Sequence, residues 1–509
     1  MIGRARPYSW VAALAPFEPA PADFPNRLAD PQPQRCEFGP RGWTLAGLVL
    51  LCLAVRVPMA LRITTVVSDG VVYVEQARSL ENGILRAGVS DRNVNPFPVI
   101  LSLLHRAGLD WQVAGAAWGV AISSLVVLPL YGWVRRQFDD RVARTACFLY
   151  AVQPKMITWS PELMRDPTFW FLFTLSIFLL WRAITEVRLR LFFVAGIIVS
   201  LTCLTRIEGI YLLILLGLWS FWRWLALEVQ RRRLIFGVLL CLGATPALLL
   251  AAKLALFRNQ ANWGFARLDP VLRFYTWIHA MLGSGLGSAA CPAPSVSLSI
   301  GRMLWIFLPT VTRGLSPFFA LLMFGGLWGW RRMWVRRDHQ PLFYASLAVL
   351  AGAWVQLWYD HAMCPRYVLP IVLMGAMFAA LGLLGLMERV AVWSRQRAQP
   401  ARIRVLLMVL PLIVVAVHGV GEAMIANRSY FAARQAVAEL GTRLGRDAGP
   451  IHMVVGPEGV VRIAQHYAGA DACRWFRMEN GDESIITALV RQARPDVLLL
   501  RPTKSMNAQ

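Results

Sequence analysis

Four segments place ionisable side chains at the edges of long apolar runs: SDGVVY with Asp69, PELMRDPTFW with Glu162, Arg165 and Asp166, TRIEG with Arg206 and Glu208, and YDHAMCPRY with Asp360, His361, Arg366 and Tyr367. Charge in or beside a membrane span is costly, so such groups are candidates for function. A carboxylate acts as a general base towards an acceptor hydroxyl. Guanidinium groups bind a phosphate through paired donors and stabilise it as a leaving group. Acids and arginines at one depth, next to a deep apolar bundle, suit the transfer of a group from a lipid phosphate.

Each residue also has a plainer reading. Asp69 suits a helix cap. Asp166 suits a cap or a pair with Arg165, ahead of a proline in a first turn. Arg206 suits a side chain reaching to lipid headgroups, and His361 suits a solvated loop. No two histidines have metal-ligand spacing, so nothing in the spacing supports a divalent ion as cofactor, although one stays open. The functional reading rests on the group.

The elements that must position these residues follow from composition. Of 509 residues 57% are hydrophobic and 16% charged, with a mean hydropathy of +0.50. A soluble domain has ~25% charged residues. The formal net charge of +23 would suggest nucleic acid in a soluble chain. Here the arginines cluster between apolar runs, as in cytoplasmic loops, and nucleic-acid binding is excluded on that placement.

A hydrocarbon core of ~30 Å needs ~20 apolar residues in a helix. That criterion predicts an all-α polytopic membrane protein of about eleven spans, at 43–63, 112–134, 142–158, 166–184, 191–205, 209–226, 234–257, 315–334, 341–358, 367–388 and 403–425. Alternate connections carry the clusters Arg135–Arg144, Arg182–Arg190, Arg231–Arg233, Arg331–Arg337 and Arg389–Arg404. The positive-inside rule puts these in the cytoplasm, with the N-terminus inside and the C-terminus outside. The four polar segments then share the outer face. An arginine-rich, lysine-poor chain suggests a high-GC bacterial gene, hence an inner membrane and a periplasmic outer face.

Residues 1–40 read as a proline-rich disordered cytoplasmic tail, 41–426 as the membrane domain, and 427–509 as a small outer unit. The first span is expected to serve as the insertion signal. The first outer loop, 64–111, holds two amphipathic stretches, VVYVEQARSLENG and PFPVILSLLHRAG, which predict helices along the membrane surface. The second, 258–314, includes GSGLGSAACPAPS and reads as a mobile loop. In 427–509, strands IHMVV, ACRWF and DVLLL alternate with helices near 430–446, 458–468 and 482–493, which predicts a small α/β unit with a parallel sheet. Cys52, Cys147, Cys203 and Cys241 fall in apolar runs and are expected to pack as small hydrophobes. Cys291 and Cys364 fall in outer loops where a disulfide is permitted.

The order SDGVVY, EQARSLENG, NPFPVILSLL, RDP, TRIEG, PRYVLP resembles the GT-C glycosyltransferases, and within them the protein-mannosyltransferase and aminoarabinose-transferase group. The likeness covers residues 43–390. It implies a polyprenyl-phosphate sugar as donor and a lipid, glycan or protein hydroxyl as acceptor. It gives Asp69 and Asp166 catalytic roles and sets Arg206 and Arg366, with Tyr367, against the donor phosphate. Tyr73, Arg165, Glu162, Glu208 and His361 are then expected to contact substrate. The sequence departs from the family at Gly70, where an acid often follows the aspartate; Glu75 is no obvious replacement. The eukaryotic acceptor-binding domains are absent, which puts a protein acceptor in doubt.

Two other functions fit a polytopic chain. A lipid or sugar transporter would show internal repeats and mid-membrane charges; the sequence has no repeat and its charges sit at one face. A non-catalytic assembly subunit would tolerate alanine at Asp69, Asp166 and Arg366 together.

Overall fold

The structure is a computed structural model that describes residues 41–83, 96–227, 230–256, 300–329, 340–360, 365–397, 399–425, 428–447, 453–468, 474–478 and 497–498. The predicted tail at 1–40, most of the loop at 258–314, the helix near 482–493, and Cys291, His361 and Cys364 lie outside those residues.

The fold is predominantly helical. Helix α1 (Arg41–Ala60) leads into the first loop, where α2 (Ser68–Glu81) and α3 (Phe97–Arg106) form at the two predicted places. After α2 the chain turns at Gly83, whose φ of +76° is the left-handed conformation glycine adopts most readily. Pro98 lies in the first turn of α3, where a missing N–H costs nothing. The Asp110 carboxylate accepts the Gln112 N–H at 2.9 Å and so caps α4 (Trp111–Leu125), which continues into α5 (Val127–Gln137).

The span expected at 142–158 is two pieces, α6 (Asp140–Ala151) and α7 (Pro154–Trp159). Pro154 has no N–H for a continuing ladder, and the Gln153 side chain accepts the Met156 N–H at 2.7 Å to start a new helix. The carbonyls left free at the end of α6 meet Arg56, a fully buried residue of α1. Its guanidinium donates to Ala151 O at 3.2 Å and to Ser160 Oγ at 3.1 Å, and lies 5.1 Å from the Tyr150 ring centroid. A cation at a helix C-terminus is favourable, and here it also ties α1 to the break.

Next come α8 (Asp166–Glu186), α9 (Leu189–Thr205), a short 3-10 turn at Ile207–Ile210, α10 (Tyr211–Ala226) and α11 (Arg231–Leu256). Helices α12 (Ile300–Leu315) and α13 (Pro317–Gly329) meet at 96°. Pro317 disfavours helical geometry at Ser316, which takes a φ of +64°. The chain continues through α14 (Gln340–Asp360), a 3-10 turn at Pro365–Val368, α15 (Leu369–Gln396) and α16 (Ala401–Ile425). One hydrophobic core includes Trp133, Trp170, Phe173 and Phe192 together with the buried face of α15. Cys52, Cys147 and Cys241 are buried free thiols within it.

Among the described residues, five helical stretches are long and apolar enough to cross a membrane, or six if the bent pair is one span. The sequence reading counts eleven. The difference lies partly in shorter apolar helices, such as Thr44–Ala60 and Leu189–Thr205. In the C-terminal segment α17 (Arg428–Asp447) and α18 (Glu458–Ala468) accompany β1 (Met453–Pro457), β2 (Arg474–Met478) and β3 (Val497–Leu498). These strands pair in parallel in the order β2-β1-β3.

Candidate active site

The site residues arrive at the ends of helices. Asp69 is the second residue of α2, and Asp166 the first of α8. Arg206 follows the last turn of α9, while Arg366 and Tyr367 sit in the 3-10 turn before α15. Helix ends are where apolar length runs out, so a charge there meets the bilayer boundary rather than its centre.

Arg366 Nη1 donates to Asp69 Oδ2 at 2.5 Å and lies 3.6 Å from Met164 Sδ. Arg206 is bound on two sides, by the carboxylates of Asp166 and Glu208, with all three side chains almost fully buried. Tyr367 lies between the two arginines, its ring centroid 5.3 Å from the Arg206 guanidinium and 5.5 Å from that of Arg366. Asp69 also feels the charges of Arg165 and Arg206, and Arg366 feels Asp166. Arg165 lies 6.0 Å from the Tyr73 ring, which packs edge-on against Phe97. Three carboxylates and three guanidiniums therefore form one electrostatic group. Pairing of this kind offsets part of the desolvation of ions held away from water.

The two arginines are not equivalent. All three guanidinium nitrogens of Arg206 are engaged by carboxylates. Arg366 has one strong partner and is partly exposed, and its buried Nε has no hydrogen-bond partner. Arg366 is thus the donor with capacity left for an incoming anion.

Burial alone would push the Asp69 carboxyl up, but Arg366, with Arg165 and Arg206 behind it, holds it below the usual carboxylate range. Asp69 is therefore ionised at neutral pH, the state a base requires. Burial raises the Tyr73 hydroxyl above its ordinary value, so it stays a proton donor.

Close backbone approach brings α2 and α4 against the connection that leads into α8. A Cβ on Gly70 would lie 2.7 Å from the Leu163 carbonyl oxygen and 2.8 Å from Val66 Cγ1. At Gly119 of α4 a Cβ would collide with the Ser160 carbonyl. The connection 160–165 is therefore seated on bare backbone from two helices, and the position where related motifs carry a second acid has no room for one.

Of the expected residues, the structure gathers Asp69, Tyr73, Arg165, Asp166, Arg206, Glu208, Arg366 and Tyr367. Glu162 faces elsewhere: it accepts from Arg434 Nη1 of α17 at 2.9 Å, and both side chains are 4% exposed. Burial pushes its carboxyl above the usual range although Arg434 opposes the shift. Met164 and Arg434 escaped the sequence reading, and Gly70 entered it only as a departure from the family motif. The described residues contain no cluster of three or more His, Cys, Asp or Glu arranged to hold a metal ion. A small, mostly apolar cavity of about 20 Å³ lies apart from this group, between Gln153, Ser316, Phe319 and His418.

Residues 100–256 match the family model described as dolichyl-phosphate-mannose-protein mannosyltransferase, a stretch that includes Asp166, Arg206 and Glu208. Among solved structures, ArnT from Cupriavidus metallidurans bound to undecaprenyl phosphate is 14% identical with a TM-score of 0.54, over 91% of this chain and 90% of that one. The oligosaccharyltransferase of Archaeoglobus fulgidus in complex with Zn and sulfate is 16% identical with a TM-score of 0.55, over 85% of this chain and 62% of that one. The archaeal oligosaccharyltransferase AglB from the same organism, with an inhibitory peptide and a dolichol-phosphate, gives 14% and 0.52, over 84% and 63%. The chain thus spans less than two thirds of the oligosaccharyltransferases and nearly all of ArnT. No curated protein matches it in sequence. The chain resembles membrane glycosyltransferases of the protein-mannosyltransferase and ArnT type and shares their fold.

Proposed function

We propose that the chain is an integral membrane glycosyltransferase that moves a monosaccharide from a polyprenyl-phosphate donor to an acceptor hydroxyl at the outer face. The observation that carries this reading is the 2.5 Å pair of Asp69 with Arg366, set beside the buried Arg206–Asp166–Glu208 group. One side of the site offers an ionised acid, and the other a guanidinium with donors to spare. The lipid phosphates named in the ArnT and AglB complexes fit the same chemistry.

In the reaction, Asp69 takes the proton of the acceptor hydroxyl as its oxygen attacks the anomeric carbon. The bond from that carbon to the phosphate oxygen breaks, and its electron pair leaves with the polyprenyl phosphate. Arg366 binds the departing anion, and the configuration at the anomeric carbon inverts. Arg206, committed to two acids, fixes the geometry of Asp166 near the reacting centre. Arg165, Tyr73 and Tyr367 border the sugar. Undisturbed transfer by an Arg366→Ala variant would count against its role with the phosphate.

The positive-inside placement of the arginine clusters supports a cytoplasmic N-terminus and a periplasmic site in a bacterial inner membrane. Segment 427–509, with its helices and short parallel strands, serves as an outer unit beside the membrane domain at 41–426. The test is to incubate purified protein with a panel of polyprenyl-phosphate sugars and score free polyprenyl phosphate. Release dependent on an acceptor is expected with one member of the panel. Flux of labelled substrate across vesicles with no covalent product would replace this reading with a transporter.

A further inference from the structure

Each candidate acid has an anchor a few residues upstream, and both anchors belong to the C-terminal segment. Val66, three residues before Asp69, donates its backbone N–H to the Tyr467 hydroxyl of α18 at 3.0 Å. Glu162, four residues before Asp166, is held by Arg434 of α17 at 2.9 Å. Helices α17 and α18 in turn meet backbone to backbone: a Cβ on Gly441 would collide with the Ala464 carbonyl, and one on Gly445 with that of Ala468. One tightly joined helix pair therefore grips two loops that are about a hundred residues apart in sequence.

Stability alone does not account for the Glu162–Arg434 pair. Burying an ion pair costs desolvation that the Coulomb attraction only partly offsets, and apolar replacements are often as stable. What such a pair supplies is a single geometry. The geometry in question is the seating of residues 160–165, which carry the chain directly into Asp166 and press on Gly70 next to Asp69. At the other end Arg56 holds the same connection through Ser160.

We propose that Arg434 and Tyr467 are positioning residues for glycosyl transfer: from outside the site, the α17–α18 pair fixes Asp69 and Asp166 relative to each other. The kinetic half of this inference rests on the proposed function, and the structural half does not. Misplacing a reacting group by about 1 Å costs on the order of 10²-fold in rate.

The test uses the full-length protein in detergent or nanodiscs, with Arg434→Gln, Tyr467→Phe and the exchanged pair Glu162→Arg with Arg434→Glu. Backbone hydrogen exchange over 61–67 and 160–166 reads the clamp; donor KM and kcat read its consequence. Arg434→Gln is expected to speed exchange at 160–166 and lower kcat about 10- to 100-fold with donor KM changed less than about threefold. Tyr467→Phe, the milder change, should loosen 61–67 and lower kcat several-fold. The exchanged pair should recover most of the loss. Faster exchange with kcat unchanged would overturn the positioning role, and so would unchanged exchange in both single variants. Faster exchange in the variants, alongside a wild-type protein that transfers no sugar, would leave the clamp standing and remove the enzymatic reading instead.

Discussion

The Arg366 guanidinium holds the Asp69 carboxylate at 2.5 Å, across 297 residues of sequence. The pair joins the loop after α1 to the turn before α15, so the proposed base and the proposed phosphate holder neutralise each other when no donor is present. A phosphate that takes over Arg366 sets Asp69 free to accept a proton. Donor binding and activation of the base then become one event, and an acceptor that arrives first meets an occupied carboxylate.

That exchange has a signature in pH profiles. Transfer requires ionised Asp69, so activity is lost as pH falls through its pKa. In the free protein Arg366 overrides the upward push of burial and keeps that pKa low. With donor bound, Arg366 is shared with phosphate and burial acts with less opposition. The acid limb of kcat, which reports the complex, should therefore lie at higher pH than that of kcat/KM, which reports the free enzyme. Arg366→Gln should move the kcat/KM limb upward as well. Coincident limbs in both proteins would speak against partner exchange.

Gly70 should tolerate no side chain. A Cβ there would press on the Leu163 carbonyl and on Val66. Gly70→Ala is expected to lower stability by about 1–3 kcal/mol, and to lower kcat further because α2 is pushed from the 160–165 connection. Thermal unfolding and steady-state kinetics on the same preparation separate the two effects. A variant as stable and as active as wild type would show that the approach is looser than described.

Glu208 and Asp69 should part company when neutralised. Glu208 is buried against Arg206, so Glu208→Gln strips a buried cation of one of its two acids. Its cost in stability is expected on the order of 3 kcal/mol, visible as a large fall in melting temperature. Asp69 is partly exposed, and an amide there keeps a hydrogen-bond acceptor for Arg366. Asp69→Asn should melt close to wild type. Equal melting losses in the two variants would contradict this division between framework and chemistry.

Much of this site was legible in the sequence because an ionisable residue at the edge of an apolar run has few harmless explanations. Asp69, Asp166, Arg206, Arg366 and Tyr367 all stood out on that ground, and the helices of the first loop followed from apolar spacing and proline placement. What sequence could not convey is pairing across distance. Glu162 looks like a member of the group by proximity to Asp166, yet its partner Arg434 lies in an amphipathic helix where an arginine ordinarily faces water. Gly70 reads as a missing acid until the Leu163 carbonyl is seen against it. The break between α6 and α7 was written in Gln153 and Pro154, but the apolar length of the stretch outweighed it.

The central claim is that Asp69 removes the acceptor proton while leaving donor recognition to its neighbours. Single-turnover transfer from a labelled polyprenyl-phosphate sugar by Asp69→Asn, measured beside retention of the labelled lipid, tests it most directly. The expected result is bound lipid at near wild-type levels with transfer reduced about 10²- to 10⁴-fold, the usual worth of a general base. Transfer at the wild-type rate would contradict the account.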